Sequence, residues 1–357
     1  MANKKILINA TCDAEKPSGV PLFNREVTKN LIKINPDIFT AYMSIDFLPD
    51  FNNKYLNPNL KYNRKRILWE QTDLSLLEYN LIFSTVTEGP ILTNNKAVVV
   101  HDMIPMKYPQ YFGWFKYYVQ YVIPLVLKTS KFLFFNSKST KEETYKYFNV
   151  SDIPSKVVYH GYDTENFKLR EKGFIKAKYG YEKYFLYVGE MRTYKNIDSA
   201  ILAYHKSNLS DYKFLIAGRK DNNYYPSVQK LVDELKLNDK VIFLDYVPSE
   251  ELPYFYTDAT ALVFPSEYEG FGIPPLESMA SGTPVITTRC FAIPEVCGNA
   301  AVYIEPKNIT DISNTMIKIA NDDDLKMILK EKSLERVKLF SWEKCAKEHY
   351  DVLTSLI

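Results

Sequence analysis

The sequence predicts an α/β protein that consists of two Rossmann-like domains, each built around a parallel β-sheet. Its 357 residues exceed the roughly 250 to 300 residues at which a single hydrophobic core stops growing. Short runs of β-branched and aromatic residues alternate with segments of helix length, as they do in βαβ units. The runs are almost continuously apolar, which is typical of strands buried on both faces of a parallel sheet.

Ten runs are predicted to be strands. In chain order they are KKILIN, YNLIFST, KAVVVHD, KFLFFNS, KYFLYVG, KFLIAG, KVIFLD, TALVFPS, TPVITT and AAVYIEP. Two of the intervening helices are marked by apolar residues at helical spacing, and the first follows Ser18, a residue type that caps helices. The apolar positions are Val20, Phe23, Val27, Leu31 and Ile34 in the first helix, and Val228, Leu231, Val232 and Leu235 in the second.

The alternation of strands and helices breaks once, between VVYHGYD and KYFLYVGE. The intervening stretch TENFKLREKGFIKAKYGYE is charged and has little strand character, as expected of a linker with a helix. We therefore place one domain at residues 1–170 and a second at residues 171–340. Ligands of open α/β sheets bind outside the carboxyl ends of the strands, so two such domains facing each other would hold a ligand in a cleft.

Composition and charge argue against several functional classes. The chain has 45 Lys and Arg against 43 Asp and Glu, without the basic excess of a nucleic-acid-binding protein. Its four cysteines are scattered and form no CxxC pair, which indicates reduced thiols and neither a zinc site nor a disulfide. The first apolar run is too short for a signal peptide, and no long uncharged apolar run spans a membrane. We expect a cytoplasmic protein.

The stretch FPSEYEGFGIPPLESMASGTPVI, residues 264–286, predicts a strand, a glycine turn and the start of a helix. Gly270 and Gly272 allow backbone conformations and close approaches that side chains would block. Pro274 and Pro275 fit the first turn of a helix, where a missing N–H group costs least. The amides from Gly270 to Ile273, and then those of Leu276 and Glu277, would form an anion site, aided by the helix dipole.

Two glutamates frame this turn. Glu277 lies about one helical turn beyond it and could accept hydrogen bonds from two vicinal hydroxyls, as on a ribose. Glu269 lies on the strand side and would face another part of a ligand. Phe271, between the two glycines, is expected to be exposed. Because few surface-like residues surround the pair, a binding role is favoured over two solvated carboxylates.

The series EYEGFGIPPLESMASGTPVI resembles the donor-binding motif of family 4 glycosyltransferases, the retaining enzymes of the GT-B fold, whose two glutamates are separated by seven residues. The resemblance covers nearly the whole chain, in the order of the family's landmarks. These landmarks are SGVPLFNREVTKNL, VVVHDMIP, FFNSKSTKEET, VYHGYD, YVGEMRTYKN, FLIAG, FLDYVPSEELPYFYTDAT and IPEVCGNAAVYIEP. It implies two Rossmann-like domains that face across a deep cleft, with residues 341–357 crossing back to the first.

The resemblance also implies roles for individual residues. Glu277 would hold the donor's ribose, and Lys195 would contact its phosphates. The family commonly has an arginine where this chain has Tyr194, so a second cation would come from Arg192 or from no nearby residue. Glu269 would meet the donor sugar and diphosphate together with the turn residues Gly270, Phe271, Gly272 and Ile273.

Three further positions follow from the same resemblance. His101, at the end of a strand, matches a histidine that contacts the donor sugar. Gly19 matches the glycine of the first loop, where the backbone approaches the donor and the acceptor. Asp245 stands where many members have glycine, in the turn that lines the base, so the resemblance leaves the identity of the base open.

The implied activity is transfer of a hexose-type sugar from a UDP- or GDP-linked donor to a hydroxyl of a glycan or lipid-linked acceptor in cell-surface polysaccharide synthesis. Retention would proceed by front-face attack, with the leaving phosphate taking the acceptor proton, and a double displacement through Glu269 stays open. Neither a metal ion nor a cofactor is implied, because the nucleotide-diphosphate sugar is a substrate and cations serve its phosphates.

Other functions compete with this interpretation. A sugar-nucleotide epimerase would share the two-domain build. A non-catalytic nucleotide-sugar-binding subunit would keep Glu277 but lose His101, Lys195 or Glu269, all of which are present. A glycoside hydrolase could use Glu269 and Glu277 as its acid and base but would have no use for a cationic phosphate site.

The acceptor side is indicated by two segments of the first domain. Lys61, Arg64, Lys65 and Arg66 form a basic run, and the aromatic segment Trp114–Tyr121 follows later in the chain. One hypothesis is a peripheral contact with the inner face of a membrane carrying a lipid-linked glycan. The alternative is a solvated charged loop and a core helix. The sequence does not indicate an oligomeric state.

Overall fold

The computed structural model describes residues 5–12, 19–44, 54–55 and 63–357, and the chain forms two compact units. The first unit comprises Met1–Gly161 and Phe340–Ile357, and the second comprises Tyr162–Leu339. The first division thus lies nine residues before the expected one at 170. The reason is packing, because the Phe167 ring meets Tyr256 edge-on at 5.8 Å and the Arg170 guanidinium lies over Tyr254, both in the second unit.

Seven parallel strands form the sheet of the first unit, in the order β3-β2-β1-β4-β5-β6-β7. The strands are β1 (Ile6–Ala10), β2 (Phe39–Met43), β3 (Lys54–Tyr55), β4 (Leu81–Ser84), β5 (Lys96–Val100), β6 (Phe132–Phe135) and β7 (Ser155–Val157). The four predicted strands of this half are present, and β1, β4 and β5 are buried throughout. The sequence missed β2, β3 and β7, because β2 is buried only at alternate residues and the other two are very short.

Helices flank this sheet. They are α1 (Val20–Ile34), α2 (Asn63–Gln71), α3 (Ile104–Lys107), α4 (Phe115–Tyr121), α5 (Ile123–Lys128), α6 (Lys138–Tyr147) and α15 (Trp342–Ser355). Gly19 is the N-cap residue of α1, and Ser18, the residue expected to cap this helix, lies outside the described residues. The helix buries Phe23, Val27 and Leu31 as its apolar spacing predicts.

Helix α15 completes the core of the first unit. Its Trp342, Cys345 and Leu353 are buried in the same apolar cluster as Phe23 and Phe83. Gly161 packs against the backbone at the start of α15. A Cβ added to Gly161 would stand 2.1 Å from the Trp342 amide nitrogen. The first unit therefore depends on residues from both ends of the chain.

Six parallel strands form the sheet of the second unit, in the order β10-β9-β8-β11-β12-β13. They are β8 (Tyr184–Val188), β9 (Lys213–Ala217), β10 (Val241–Asp245), β11 (Ala261–Phe264), β12 (Val285–Thr288) and β13 (Val302–Ile304). All six were predicted. Two Rossmann-like units with parallel sheets are thus confirmed.

The helices of the second unit connect these strands. They are α7 (Phe174–Tyr179), α8 (Ile197–Ser207), α9 (Tyr225–Glu234), α10 (Leu252–Asp258), α11 (Ile273–Ala280), α12 (Ile293–Cys297), α13 (Ile309–Asn321) and α14 (Asp323–Val337). Helix α9 buries Val228 and Val232 on the face predicted from their spacing. Across the described ranges of the chain, no helix combines the length and the apolar character needed to cross a bilayer.

Candidate functional site

The order of strands in the second unit creates a crevice between β8 and β11. From β8 the chain passes to β9 and β10 on one side, and β11, β12 and β13 follow on the other. At such a switch point the loops after neighbouring strands diverge, and ligands of α/β sheets bind there. The loop after β8 carries Lys195, and the loop after β11 carries Glu269.

Lys195 and Glu269 form an ion pair at this crevice. The Lys195 Nζ atom lies 3.1 Å from Glu269 Oε1, and the side chains are 13% and 14% exposed. The same ammonium lies 5.6 Å from the centre of the Phe264 ring. The ammonium of a charge pair that is partly shielded from water can exchange its carboxylate partner for an anionic ligand.

Backbone contacts hold the two loops together. The Glu267 amide donates to the Tyr194 carbonyl oxygen at 2.8 Å, and the Asn196 side-chain amide donates to the Pro265 carbonyl oxygen at 3.0 Å. Tyr194 itself is buried. The position of Lys195 is therefore fixed by neighbours on both sides.

Arg192 is already neutralised by acidic neighbours. Its guanidinium contacts Asp221 at 2.8 Å and Glu190 at 3.1 Å. Arg219 Nε also donates to Glu190, at 3.0 Å, and the Arg219 side chain is mostly exposed. The sequence analysis missed Glu190, Arg219 and Asp221, although GRKD directly after a predicted strand was a signal for charged groups at its carboxyl end.

Helix α11 begins at the predicted glycine turn. Gly272 caps the helix with φ +117°, and an added Cβ would lie 2.9 Å from Ile293 Cδ1. This positive φ favours glycine, and an added Cβ would also displace the end of the Ile293 side chain. Phe271 is 4% exposed, so the expectation of an exposed ring was wrong, because the turn folds it into the core. The amide of Ile273 directly precedes the two prolines, which lack N–H groups.

Glu277 lies inside the second unit, in the middle of α11. It is 8% exposed, and its Oε2 accepts a hydrogen bond from the Tyr256 hydroxyl at 3.0 Å. Burial raises the pKa of the Glu277 carboxyl to about 8; the hydrogen bond from Tyr256 opposes the shift and the charge of Asp163 adds to it. The protonated form of this carboxyl can donate a hydrogen bond to a hydroxyl, and both forms can accept hydrogen bonds from hydroxyls. The sequence did not reveal Tyr256 as its partner.

Asp245 ends β10 in a left-handed conformation, with φ +53°. Its carboxylate pairs with Lys220 Nζ at 2.7 Å, and its carbonyl oxygen accepts from the Gly218 amide at 2.7 Å. At Gly218 an added Cβ would stand 2.0 Å from the Gly189 carbonyl oxygen. The ends of β8, β9 and β10 are thus tightly packed, with one mostly exposed carboxylate at the end of β10.

His101 and Gly19 belong to the first unit. His101 Nε2 lies 2.8 Å from the Thr85 carbonyl oxygen, so this nitrogen carries the proton. Burial lowers the pKa of His101 to about 4, against the hydrogen bond to Thr85 and the charge of Glu88. The imidazole lines a cavity of about 190 Å³ with Val20 and Glu88. Gly19, with φ +58°, has no described atom within 4 Å of an added Cβ.

The structure thus groups the predicted residues by unit. In the second unit, Lys195, Glu269 and the turn from Gly270 to Ile273 gather at the crevice, Glu277 lies further along α11, and Arg192 is engaged by acids. His101 and Gly19 stand in the first unit, and the roles of all these residues stay predictions. Within the described part of the chain, no group of three or more His, Cys, Asp or Glu side chains could hold a metal ion.

Comparisons with known proteins give a family match that covers most of the second unit. Residues 170–336 match the family described as "Glycosyl transferases group 1". The chain is 37% identical over 227 residues to the O-antigen chain mannosyltransferase RfbU of Salmonella typhimurium, covering 63% of this chain and 61% of that protein. It is 33% identical over 179 residues to O-antigen chain mannosyltransferase B of Escherichia coli, covering 48% and 46%.

Solved structures share the whole fold. The crystal structure of HepE from Anabaena, in complex with UDP and glucose, superposes with a TM-score of 0.79 at 15% identity and covers 99% of this chain and 100% of that chain. The chain therefore has the GT-B fold. The matches to RfbU and mannosyltransferase B span less than two thirds of those relatives' own lengths.

Proposed function

Since residues 170–336 form a glycosyl transferases group 1 domain, we propose that this chain is a retaining glycosyltransferase of cell-surface polysaccharide synthesis. It moves a hexose-type sugar from a UDP- or GDP-linked donor to a hydroxyl of a glycan or lipid-linked acceptor. Both relatives named above are O-antigen mannosyltransferases, so mannose is the first sugar to test. The UDP and glucose bound by HepE support a nucleotide-sugar donor.

The observation that carries the proposal is the Lys195–Glu269 pair between the ends of β8 and β11, 3.1 Å apart. An arriving diphosphate takes the place of the Glu269 carboxylate beside the ammonium. The amides that precede the prolines of α11 add further donors to the same anion. Both groups are positioned before the ligand arrives, so they stabilise charge on the leaving phosphate without reorganisation.

The remaining steps need little from the protein. Glu277 holds the ribose hydroxyls, with the Tyr256 hydroxyl keeping its carboxyl in place. The acceptor attacks the face from which the diphosphate leaves, and the leaving phosphate oxygen takes the acceptor proton. The new glycosidic bond forms as the bond to the phosphate breaks, with retention, and neither a protein base nor a metal ion takes part.

A binding screen tests the donor site. Thermal-shift and calorimetric measurements compare UDP, GDP, ADP and their hexose conjugates on the wild type, Lys195→Ala and Glu277→Ala. Lys318→Ala, at an exposed lysine of α13, is the matched control. We expect selective binding of one nucleotide diphosphate, lost in the two site variants and retained in the control.

Three outcomes point elsewhere. If no nucleotide stabilises the wild type, the donor-site assignment fails. Binding without release of nucleoside diphosphate in the presence of glycan acceptors would favour a non-catalytic subunit. Conversion of the bound sugar into an epimer without any acceptor, followed by NMR, would favour an epimerase.

A further inference from the structure

The first unit has its own switch point in the order of its strands. From β1 the chain passes to β2 and β3 on one side, and β4, which follows next, lies on the other side of β1. The loops after β1 and β4 therefore diverge at the carboxyl edge of the sheet, where α/β sheets bind their ligands. The donor site proposed above lies at the corresponding crevice of the second unit, which leaves this one for a second ligand.

A cavity of about 190 Å³ lies at this edge of the first sheet. Its lining includes Cys12, Glu88 and His101, which follow β1, β4 and β5 in the chain. The rest of the described lining is mostly apolar and includes Phe115 and Val119 of α4. An apolar wall with a few polar groups is typical of small-molecule sites, and pockets for drug-sized ligands have roughly 300 to 1,000 Å³. This smaller cavity suits a ligand of the size of one monosaccharide unit.

The Glu88 carboxylate is held in place by helix α2. Its Oε1 atom accepts a hydrogen bond from Arg66 Nη2 at 2.8 Å, and the Glu88 side chain is 13% exposed. The same loop is fixed by Gln71, whose side-chain amide donates to the Gly89 carbonyl oxygen at 2.6 Å and accepts from the Ile91 amide at 3.0 Å. Glu88 is therefore oriented before a ligand arrives, which lowers the entropic cost of binding.

The polar groups of the cavity accept hydrogen bonds. Within the described part of the chain, the hydrogen bonds of Glu88 involve only its Oε1 atom. His101 donates through Nε2 to the Thr85 carbonyl oxygen, so its buried Nδ1 carries a lone pair, and this nitrogen has no hydrogen-bond partner among the described residues. Asp102 adds a second carboxylate to the lining. A ligand of this cavity must therefore supply hydrogen-bond donors.

The charges around the cavity favour a neutral ligand. Arg66 is 5% exposed and already pairs with Glu88, so a cationic ligand would meet this second cation at short range. An anionic ligand would instead meet the carboxylates of Glu88 and Asp102. A sugar ring avoids both penalties, because it supplies hydroxyl donors together with C–H groups that pack on apolar side chains.

This site revises the acceptor side that was expected from the sequence. Arg66 is buried, with two glutamate partners, so it does not belong to a basic surface. Lys61 lies outside the described residues. In the aromatic segment, Tyr118 packs in the core and Phe115 lines the cavity. Part of that segment thus belongs to the interior of the first unit.

We propose that this cavity binds the sugar ring of the acceptor and that Glu88 accepts a hydrogen bond from one hydroxyl of that ring. The inference rests on the proposed function, which requires an acceptor hydroxyl next to the transferred sugar. His101, which is predicted to contact the donor sugar, lines the same cavity, so a second sugar placed here lies beside the first. Arg66 is a positioning residue that acts through Glu88.

Ligand-observed NMR tests the cavity without any donor. Saturation-transfer spectra of the chain are recorded with the methyl glycosides of mannose, glucose, galactose and N-acetylglucosamine. The variants are Glu88→Gln and Val119→Phe, the second of which fills the cavity. Glu251→Gln, in the second unit, is the matched control, because the Glu251 side chain is 16% exposed and pairs with one cation, Lys178, at 2.7 Å. Thermal denaturation of each variant reports on the fold.

We expect at least one glycoside to bind the wild type and the control, and to bind Glu88→Gln roughly ten- to a hundredfold more weakly. Removing the hydroxyl that meets Glu88 from this glycoside should weaken binding to the wild type but not further to Glu88→Gln, since the two changes remove one interaction. Val119→Phe should lose binding while its thermal midpoint stays equal or rises, because the added ring fills a void.

Kinetic measurements separate the acceptor from the donor. With a glycan that ends in the bound sugar as acceptor, Glu88→Gln should raise the acceptor KM by the same factor as it weakens glycoside binding. The affinities for the nucleoside diphosphate and for its sugar conjugate should stay unchanged. A merely structural role of Glu88 would affect donor and acceptor alike.

Three results would overturn the proposal. The first is a wild type that binds none of the four glycosides, and the second is a glycoside that binds the wild type and Glu88→Gln equally well. The third is a Glu88→Gln variant that binds the nucleotide sugar more weakly but the nucleoside diphosphate normally, since the cavity would then hold the donor sugar. A wild type that binds no nucleotide would contradict the proposed function instead, and the glycoside spectra would still decide on the cavity.

Discussion

The Lys195 ammonium and the Glu269 carboxylate lie 3.1 Å apart, so the two groups that a diphosphate would meet already neutralise each other. We expect Lys195→Ala to lower the transfer rate at least about a hundredfold, because one preorganised charge donor is worth that much in comparable sites. Glu269→Gln removes the competitor and should leave nucleotide-diphosphate affinity equal or higher while transfer falls. Calorimetry and the rate of nucleoside-diphosphate release measure the two effects.

The opposite responses of the two variants make this prediction specific. A fold defect would weaken binding in both. Equal loss of affinity in Lys195→Ala and Glu269→Gln would contradict the competition between the carboxylate and the ligand. Lys318→Ala should resemble the wild type in both measurements.

The Glu277 carboxyl should lower the stability of the protein and strengthen the binding of the nucleotide. Burial raises the pKa of its carboxyl to about 8, above the unfolded value, so the native state holds a proton that the unfolded state releases. The contribution of this group to stability is therefore fully present below the unfolded pKa of 4.5 and is lost as pH rises to about 8. Glu277→Gln stays neutral and should raise the free energy of unfolding by up to about 3 kcal/mol at pH 7. Urea denaturation at several pH values measures this.

The same substitution should weaken nucleotide binding. An ionised Glu277 accepts two ribose hydroxyls, so wild-type affinity for the nucleotide diphosphate should rise between pH 7 and 9. Glu277→Gln should bind at least roughly tenfold more weakly and lack this rise. A more stable variant with unchanged affinity would show that the carboxyl does not contact the ligand.

Three buried histidines around Phe23 should make the first unit acid-labile. Burial lowers the pKa of His101 and His349 to about 4 and that of His160 well below its usual value. The native state therefore binds fewer protons than the unfolded chain below pH 6.5. Stability is fully present above that pH and is lost as pH falls towards 4, by up to about 1.4 kcal/mol per pH unit for each histidine.

Denaturation curves between pH 4.5 and 7.5 test the histidine cluster. His349→Leu should make the loss of stability with falling pH shallower, because one fewer group takes up a proton on unfolding. His205→Leu is the control, since His205 lies on the exposed side of α8. An unchanged slope in His349→Leu would contradict the assignment.

The buried ion pairs of Arg66 should be essential to the first unit. Glu70 is completely buried and accepts hydrogen bonds from Arg66, from Asn9 at 3.0 Å and from Thr11 at 3.0 Å. Arg66→Met would leave the Glu70 charge uncompensated and should cost about 3 to 5 kcal/mol. The double variant with Glu70→Gln should recover part of this loss. If urea denaturation showed that Arg66→Met lowers the free energy of unfolding by less than about 1 kcal/mol, the pair would contribute no more than an exposed ion pair does.

The fold was predictable where local pattern and burial agree. Strands buried on both faces, such as β5 and β11, show as continuous apolar runs, and all ten of the predicted strands are present. Strand β2 was not predicted because only its alternate residues are buried. The turn at Gly272 was predicted because glycine and proline have fixed backbone preferences.

The site was predictable only in part, because partners distant in the chain decide what a charged residue does. Arg66 stands in a basic run that suggests solvent, but one helical turn places it against Glu70 and the fold adds Glu88. Arg192 was proposed as a cation for phosphate, yet Asp221 engages it across two loops. The Arg66–Glu70 pair has the i,i+4 spacing of a helix, but the pairings with Glu88 and Asp221 leave no trace in local spacing.

Because α15 belongs to the first unit, the second unit can complete its fold before the first unit does. The second unit is one continuous segment, Tyr162–Leu339, and has all of its strands once that segment has left the ribosome. The first unit waits for Trp342 and Leu353, which close its core around Phe23. The half of the protein that is synthesised first therefore matures last, with its apolar face uncovered throughout translation and open to chaperones.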